Sequence, residues 1–234
     1  GNECIIIGGK KYYRHELYSA FAGTLQTERY APKPVHEFGN STAYALAGFG
    51  ITTITFGFYL TNAHGVVTNN AVVALTTFCS ASALFLAGIY EFFKGNTFGC
   101  TLFLSFSGFW WGFSAILIPA FGIADAYKDD PEQFSNALGL WLLGWDIFVA
   151  GLLSVVLKST WDLILTFITL EGTLILLTAF YFTGNHGLQV AGGVMVIVCG
   201  FCALYIMVTG IATKTNSYLR FPNLQVPIFG RNGQ

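Results

Sequence analysis

From Ser41 to Ile211 the chain alternates between long apolar runs and short polar breaks. A helix that crosses the hydrocarbon core of a bilayer needs about 20 predominantly apolar residues, at a rise of about 1.5 Å each. Runs of that length fall at residues 41–60, 71–93, 98–118, 137–157, 159–182 and 188–211, and each predicts a transmembrane helix. The connections are short, except for the stretch from Pro119 to Asn136. The pattern predicts an all-α polytopic membrane protein. Its parts are an N-terminal segment (1–40), a six-helix transmembrane domain (41–211) and a polar tail (212–234).

Upstream of the first span, Tyr13, Leu17 and Phe21 recur four residues apart. That spacing predicts a short amphipathic helix, either lying on the membrane interface or packed under the bundle. The stretch from Tyr30 to Pro34 ends it before the first span. The first residue is glycine rather than methionine, so a preceding segment is expected.

Composition agrees with the apolar pattern. Hydrophobic residues make up 54% of the chain and charged residues 10%, against about 25% charged in a soluble domain. Net charge is −1 and no basic block occurs, which argues against nucleic acid as a partner. Lys and Arg set the orientation. Lys10, Lys11, Arg14, Arg29, Lys33, Lys94, Lys158, Lys214, Arg220 and Arg231 all fall on one side of a six-span bundle. The other side has Lys128 alone, among Asp125, Asp129, Asp130 and Glu132. The positive-inside rule then makes both termini cytoplasmic and turns the 119–136 loop outward.

Small residues suggest where helices approach: Gly108 and Gly112 form a GxxxG, and Ala43/Ala47 and Ala83/Ala87 are further small pairs. Trp110, Trp111, Trp141, Trp145 and Trp161 lie near proposed span ends or one to two turns in, as an aromatic belt or a subunit contact would require. Cys199 and Cys202 form a CxxC inside an apolar run without matching ligands, so they read as small buried hydrophobes. No metal or cofactor is expected.

Four carboxylates interrupt the spans, and no Lys or Arg accompanies them. A charge near the bilayer centre costs at least ~2.5–3.5 kcal/mol, so each requires a partner, water or a helix end. Glu91 lies one turn before Lys94, and Asp162 four residues after Lys158. Both read as structural groups at helix ends. Asn96 or Thr97 would cap the third span after Gly95. Asp146 and Glu171 fall near mid-membrane without a base, where desolvation favours the protonated form. Each would serve either as a hydrogen-bonding group between helices or as a proton-carrying site. Asn40, Ser41 and Thr42 begin the first span, where free N–H groups and the helix dipole suit either ordinary capping or a substrate carboxylate. Thr52, Thr53 and Thr55 follow, and threonine can satisfy itself on its own helix.

The run Ala87-Gly88-Ile89-Tyr90-Glu91-Phe92-Phe93-Lys94-Gly95-Asn96-Thr97-Phe98, continued by Ser105-Phe106-Ser107-Gly108-Phe109-Trp110, resembles the acetate uptake transporter family. That family comprises bacterial succinate–acetate permeases and fungal Ato-type acetate or ammonia transporters. Asn136-Ala137-Leu138-Gly139, Ala191-Gly192-Gly193 and Asn216-Ser217-Tyr218 match as well. Tyr13-Arg14-His15-Glu16-Leu17 with Ala20-Phe21 resembles the fungal branch. Family members usually begin the first span with Asn-Pro-Ala-Pro-Leu-Gly-Leu. Here Asn40 and Leu46 remain, Ser41 and Ala43 replace the prolines, and Ala45 replaces the glycine. Without those prolines a regular helix can start earlier.

The resemblance implies a hexamer in which each subunit has its own path, narrowed by an apolar constriction at Phe49, Phe106 and Leu170. Phe106 stands where bacterial members have tyrosine. Family members more often have uncharged residues at the positions of Asp146 and Glu171. Such a ring passes small amphiphilic solutes and opposes hydrated ions. Asn40, Thr42, Phe49, Thr52, Phe106, Leu170 and Glu171 are the candidate substrate or pore residues. Glu91, Asn96, Asp146 and Asp162 are the candidate structural polar groups.

Three functions follow. The first is a channel or proton-coupled transporter for acetate and other short monocarboxylates. The second is movement of ammonia or ammonium, and the third a conduction-poor structural or regulatory subunit. An enzyme is not indicated, because no nucleophile–base pair or phosphate loop occurs. The expected partners are the solute, the lipid bilayer and further copies of the chain. The expected location is the plasma membrane, with an intracellular membrane as the alternative.

Overall fold

The computed structural model describes residues 4–15, 39–219, 221–222 and 224–226. These divide into two units, Gly1–Gly39 and Asn40–Gln234.

The first unit departs from the all-α expectation. Strands β1 (Cys4–Ile7) and β2 (Lys10–Tyr13) pair antiparallel, with Cys4 opposite Tyr13 and Ile7 opposite Lys10. Gly8 and Gly9 turn the chain with φ of 60° and 77°. Two successive positive φ values suit the right-handed twist of a hairpin, and glycine adopts them without a Cβ penalty. Tyr13 therefore belongs to a strand, not to the amphipathic helix expected from its spacing. Helical structure begins only at Arg14 and His15. Leu17 and Phe21 lie outside the described residues.

The second unit contains six helices long and apolar enough to span a membrane: α1 (Ser41–Leu60), α2 (Val72–Phe93), α3 (Thr97–Leu117), α4 (Pro131–Val156), α5 (Trp161–Thr183) and α6 (His186–Ile211). Their bounds follow local chemistry. Helix α4 starts six residues before its apolar run. The Asp130 carboxylate accepts from Gln133 N–H at 2.9 Å, Pro131 occupies the first turn and Glu132 complements the dipole. The 119–136 loop is shortened accordingly and holds 3-10 turns at Pro119–Phe121 and Asp125–Tyr127. At the end of α6, Asn216 accepts from Thr213 N–H at 2.8 Å and donates to the Ile211 carbonyl at 3.0 Å.

Helix α1 packs on α2, α2 on α3, α4 on α5 and α5 on α6, and α6 returns to α1, whereas α3 and α4 stand further apart and meet through aromatic side chains. The α1–α6 seam is built on glycine. A Cβ on Gly200 would lie 2.6 Å from Thr53 Oγ1 and 2.9 Å from the Gly50 carbonyl, and one on Gly57 would lie 2.7 Å from the Gly193 carbonyl. Backbones this close gain dispersion contacts that lipid cannot supply. Side-chain bonds join the same two helices at both ends: Asn40 Nδ2 donates to the Gly210 carbonyl at 3.1 Å and Gln189 Nε2 to the Leu60 carbonyl at 3.2 Å. By contrast, a Cβ on Gly108 would meet nothing within 4 Å and one on Gly112 only Trp141 at 3.6 Å, so the GxxxG is not a close helix contact within the subunit. Ala83 does make one, because a Cβ on Gly48 would lie 2.9 Å from its own.

Helix α2 carries a π turn at Thr76–Ala81. The wider turn frees backbone carbonyls, and hydroxyls fill the need. Thr52 donates to the Leu75 carbonyl at 3.3 Å, Ser107 to Ala81 at 2.9 Å and Ser82 to Thr77 at 2.9 Å. Thr76 and Ser114 also share a 2.6 Å hydroxyl bond. These bonds join α1, α2 and α3 around an irregular segment that lipid alone would not tolerate.

Candidate functional site: an aromatic cavity lined by Phe49, Phe106 and Leu170

Helical periodicity sets the wall of the main cavity. Phe49, Thr53, Phe56 and Leu60 recur on one face of α1, and Leu170, Thr173, Leu174, Leu177 and Tyr181 on one face of α5. Helix α3 contributes Phe106, Phe109, Trp110 and Phe113, and α4 contributes Phe134, Leu138, Trp141 and Leu142. Together they enclose about 530 Å³. The space reaches Asn69, Asn70, Ala124 and Pro131, on the side expected to face outward. Phe49 and Leu170 each lie eleven residues below the last lining residue of their helix, Leu60 and Tyr181. At 1.5 Å per residue both therefore sit about 16 Å down the cavity, at one depth.

Aromatic rings hold this wall. Phe49 meets Phe106 edge to face with centroids 6.2 Å apart. Phe109 stacks on Trp141 at 5.0 Å and Phe106 on Trp145 at 6.2 Å, so α3 and α4 meet through rings. Trp110 is edge-on to Phe109 at 5.1 Å and to Phe56 at 6.2 Å. Trp110, Trp141 and Trp145 thus belong to the cavity wall or its backing, not to an interfacial belt. Trp111 and Trp161 keep exposed faces.

The three residues that the resemblance assigns to a constriction lie in the lining of one cavity. Phe49, Phe106 and Leu170 are 6%, 5% and 8% exposed, so they present buried apolar surface to the cavity. An ion would have to lose water there with little polar replacement.

The polar candidates lie elsewhere. Thr52 is committed to the Leu75 carbonyl. Asn40 caps α1 by accepting from Ala43 N–H at 3.2 Å while reaching Gly210. Thr42 is half-buried in the first turn of α1. Glu171 follows Leu170 in sequence, but the helical turn carries it away from the cavity lining. Asp146 accepts from Thr178 Oγ1 at 2.9 Å, a bond between α4 and α5.

Glu91 is a buried junction. Its carboxylate accepts from Ser41 Oγ at 2.6 Å, Lys94 Nζ at 3.1 Å and Asn96 Nδ2 at 2.6 Å. Asn96 in turn caps α3 by accepting from Gly99 N–H at 3.1 Å. One carboxylate thereby joins the start of α1, the end of α2 and the start of α3. The Ser41 contact was not foreseen, yet Ser41 is one of the residues that replace proline at the family's span-one motif. Asp162 does not pair with Lys158, and one of its oxygens is buried without a partner. The α4–α5 turn is held instead by the tail. Trp161 N–H donates to the Leu224 carbonyl at 2.8 Å, Val226 N–H to Ser159 at 3.3 Å, and Thr160 bridges Gln225.

A family model described as the GPR1/FUN34/yaaH family matches residues 21–228. The Saccharomyces cerevisiae "Ammonia transport outward protein 2" is 42% identical over 97% of this chain and 80% of its own length. The Emericella nidulans "Acetate permease A" is 32% identical over 92% of this chain and 75% of its own. Among solved structures, that of the "bacterial acetate channel SatP" superposes with a TM-score of 0.70 at 28% identity, covering 80% of this chain and 99% of that one.

Proposed function

The chain belongs to the GPR1/FUN34/yaaH family, and on that premise we propose that it is a membrane channel or transporter for acetate and related short monocarboxylates. The observation that carries this reading is the aromatic cavity ending on Phe49, Phe106 and Leu170. A two-carbon acid has one apolar end suited to the rings and one polar end that can shed its charge by protonation. An apolar ring opposes a hydrated ion far more than such a solute. The likeness to a structure titled as an acetate channel supports the same substrate class.

A second reading, movement of ammonia or ammonium, draws support from the name of the 42% identical yeast relative. The cavity wall weakens its ionic form, because neither Asp146 nor Glu171 faces the cavity to attract a cation. Hexameric assembly with one path per subunit, and residence in the plasma membrane, belong to the proposal and rest on the family resemblance.

Labelled-acetate uptake into proteoliposomes, at acidic and neutral pH, tests the first reading against the others. Acetate flux above that of protein-free vesicles is expected. Its absence at both pH values, with ammonia-driven alkalinisation present, selects the second reading. Absence of both, in an intact oligomer, leaves a structural or regulatory subunit.

A further inference from the structure

Hydrogen bonds sort the six helices into two groups of three. Glu91 joins the start of α1, the end of α2 and the start of α3 through Ser41 and Asn96. Further along the same helices, Thr52 donates to Leu75, Ser107 donates to Ala81, and Thr76 shares a bond with Ser114. Helices α1, α2 and α3 are thereby tied at two levels. In the other group, Ser135 Oγ donates to the Tyr181 carbonyl at 2.7 Å and Thr178 to Asp146 at 2.9 Å, which ties α4 to α5. Cys199 Sγ donates to the Thr166 carbonyl at 3.5 Å, which ties α6 to α5. The pairing of residues 224–226 with the α4–α5 turn, and the 2.7 Å bond from Tyr205 Oη to the Pro222 carbonyl, fasten the ends of this group.

The two groups meet on two sides, and the sides differ. Along α1–α6, Gly200 lies against Gly50 and Gly193 against Gly57, while the Asn40–Gly210 and Gln189–Leu60 bonds pin both ends. Along α3–α4 the backbones stand apart, and among the described residues no hydrogen bond or ion pair joins them. Rings alone close that side. Phe109 lies nearly flat on Trp141 at 5.0 Å and 19°, and Phe106 on Trp145 at 6.2 Å and 26°. Stacked rings can part without breaking a directional bond, and the loop of residues 118–130 between the two helices leaves slack for it.

The cavity lies between the two groups. Phe49 and Phe106 belong to the first, edge to face at 6.2 Å, and Leu170 belongs to the second. We propose that the bundle is a hinged pair of three-helix bodies, pivoting on the α1–α6 glycine seam and parting at the α3–α4 rings. The movement carries Leu170 away from the Phe49–Phe106 pair, which travels as one unit, and so widens the path without unlocking those rings. Packed bodies move in this way because a close-packed interface is either made or parted, not continuously deformed. The hinge stands on the packing itself; its use in passing a solute rests on the transport reading above.

Reversible cross-links in proteoliposomes test the hinge, in a chain whose five cysteines are replaced by alanine. A Cβ at position 210 would lie 3.4 Å from that of Ala43, close enough for a disulfide, so Ala43→Cys/Gly210→Cys locks the α1–α6 seam. A Cβ at position 112 would lie 3.6 Å from the Trp141 ring, so a short bis-methanethiosulfonate reagent can bridge Gly112→Cys/Trp141→Cys and lock α3 to α4. Each variant is compared with itself after reduction, and Gly112→Cys with a one-headed reagent controls for bulk. Acetate flux is expected to fall by about tenfold or more while the α3–α4 bridge is in place, and to return on reduction. The α1–α6 disulfide is expected to leave it within about twofold. Full flux through the α3–α4 bridge, or loss of flux with the α1–α6 disulfide, overturns the proposal.

Spin-label distances on the same chain, diluted with unlabelled copies, keep the hinge separate from the transport reading. Trp111 and Leu140 are exposed on α3 and α4, and Tyr44 and Ile211 on α1 and α6. Labels at Trp111→Cys/Leu140→Cys are expected to give two distance populations, and labels at Tyr44→Cys/Ile211→Cys one. Two α3–α4 populations with no acetate flux sink the transport reading and leave the hinge. A single α3–α4 population, with or without flux, sinks the hinge alone.

Discussion

Phe49 on α1 and Phe106 on α3 meet edge to face, centroids 6.2 Å apart, in a cavity that Leu170 of α5 also lines. Edge-to-face rings interlock, so neither can swing aside without displacing the other. Truncating either one should therefore open the floor of the cavity. Phe49→Ala is expected to raise acetate flux several-fold or to admit longer monocarboxylates. Uptake of acids of increasing length in proteoliposomes measures both. Unchanged flux and selectivity in a folded variant would make Phe49 a packing residue.

Glu91 should matter more to stability than Lys94, although the two form an ion pair. Glu91 is 1% exposed and serves three donors, whereas the Lys94 side chain is 50% exposed. Removing the buried carboxylate leaves Ser41 and Asn96 without an acceptor, at a cost of about 3 kcal/mol. Removing the lysine forfeits at most about 1 kcal/mol. Thermal unfolding of Glu91→Ala and Lys94→Ala in detergent compares them. Equal shifts would show that the pair, not the junction, carries the stability.

The α1–α6 glycines give a second stability contrast. Gly200→Leu must place its Cβ against the Thr53 hydroxyl and the Gly50 carbonyl, which are backbone or close-packed groups with no room to retreat. Overpacking of this kind costs about 1–3 kcal/mol, and a leucine adds further volume. Gly108→Ala meets open space and should change stability by less than about 0.5 kcal/mol. If Gly108→Ala instead disperses an oligomer while the subunit stays folded, that glycine packs against a neighbouring copy.

Asn40→Ala removes a helix cap and the bond to Gly210 together. A lost cap costs about 1 kcal/mol. Asn40→Asp keeps the acceptor for Ala43 N–H and loses only the amide donor. Flux that falls in both variants while unfolding temperatures stay unchanged would move Asn40 from capping to substrate contact.

The membrane-spanning architecture was legible because lipid imposes a one-dimensional rule, about twenty apolar residues per crossing. Lys and Arg then add the polarity. The junction at Glu91 was half legible. Lys94 and Asn96 are local in sequence, but Ser41 is fifty residues away, and only folding reveals it. The glycine seam escaped notice because Gly50, Gly57, Gly193 and Gly200 are spaced by seven in each helix, and their meaning lies in the partner across the contact. Glu171 looked like a pore residue because it follows Leu170. One residue is a turn of about 100° on a helix, enough to exchange the cavity for a helix seam. The three constriction residues came from resemblance, since nothing in their spacing separates a gate from a core. The hairpin has a local signal in Gly8-Gly9 between Ile7 and Lys10, but strands of four residues carry too little alternation to stand out beside the long apolar runs.

The short pairing of Leu224, Gln225 and Val226 with Ser159, Thr160 and Trp161 bears on how the protein can be handled in the laboratory. The first backbone N–H of α5 donates to the Leu224 carbonyl, so the helix bearing Leu170 is anchored by the segment that follows α6. A purification handle joined before Leu224, or a chain shortened to that point, would release the base of α5. Handles placed beyond Val226 leave that anchor in place.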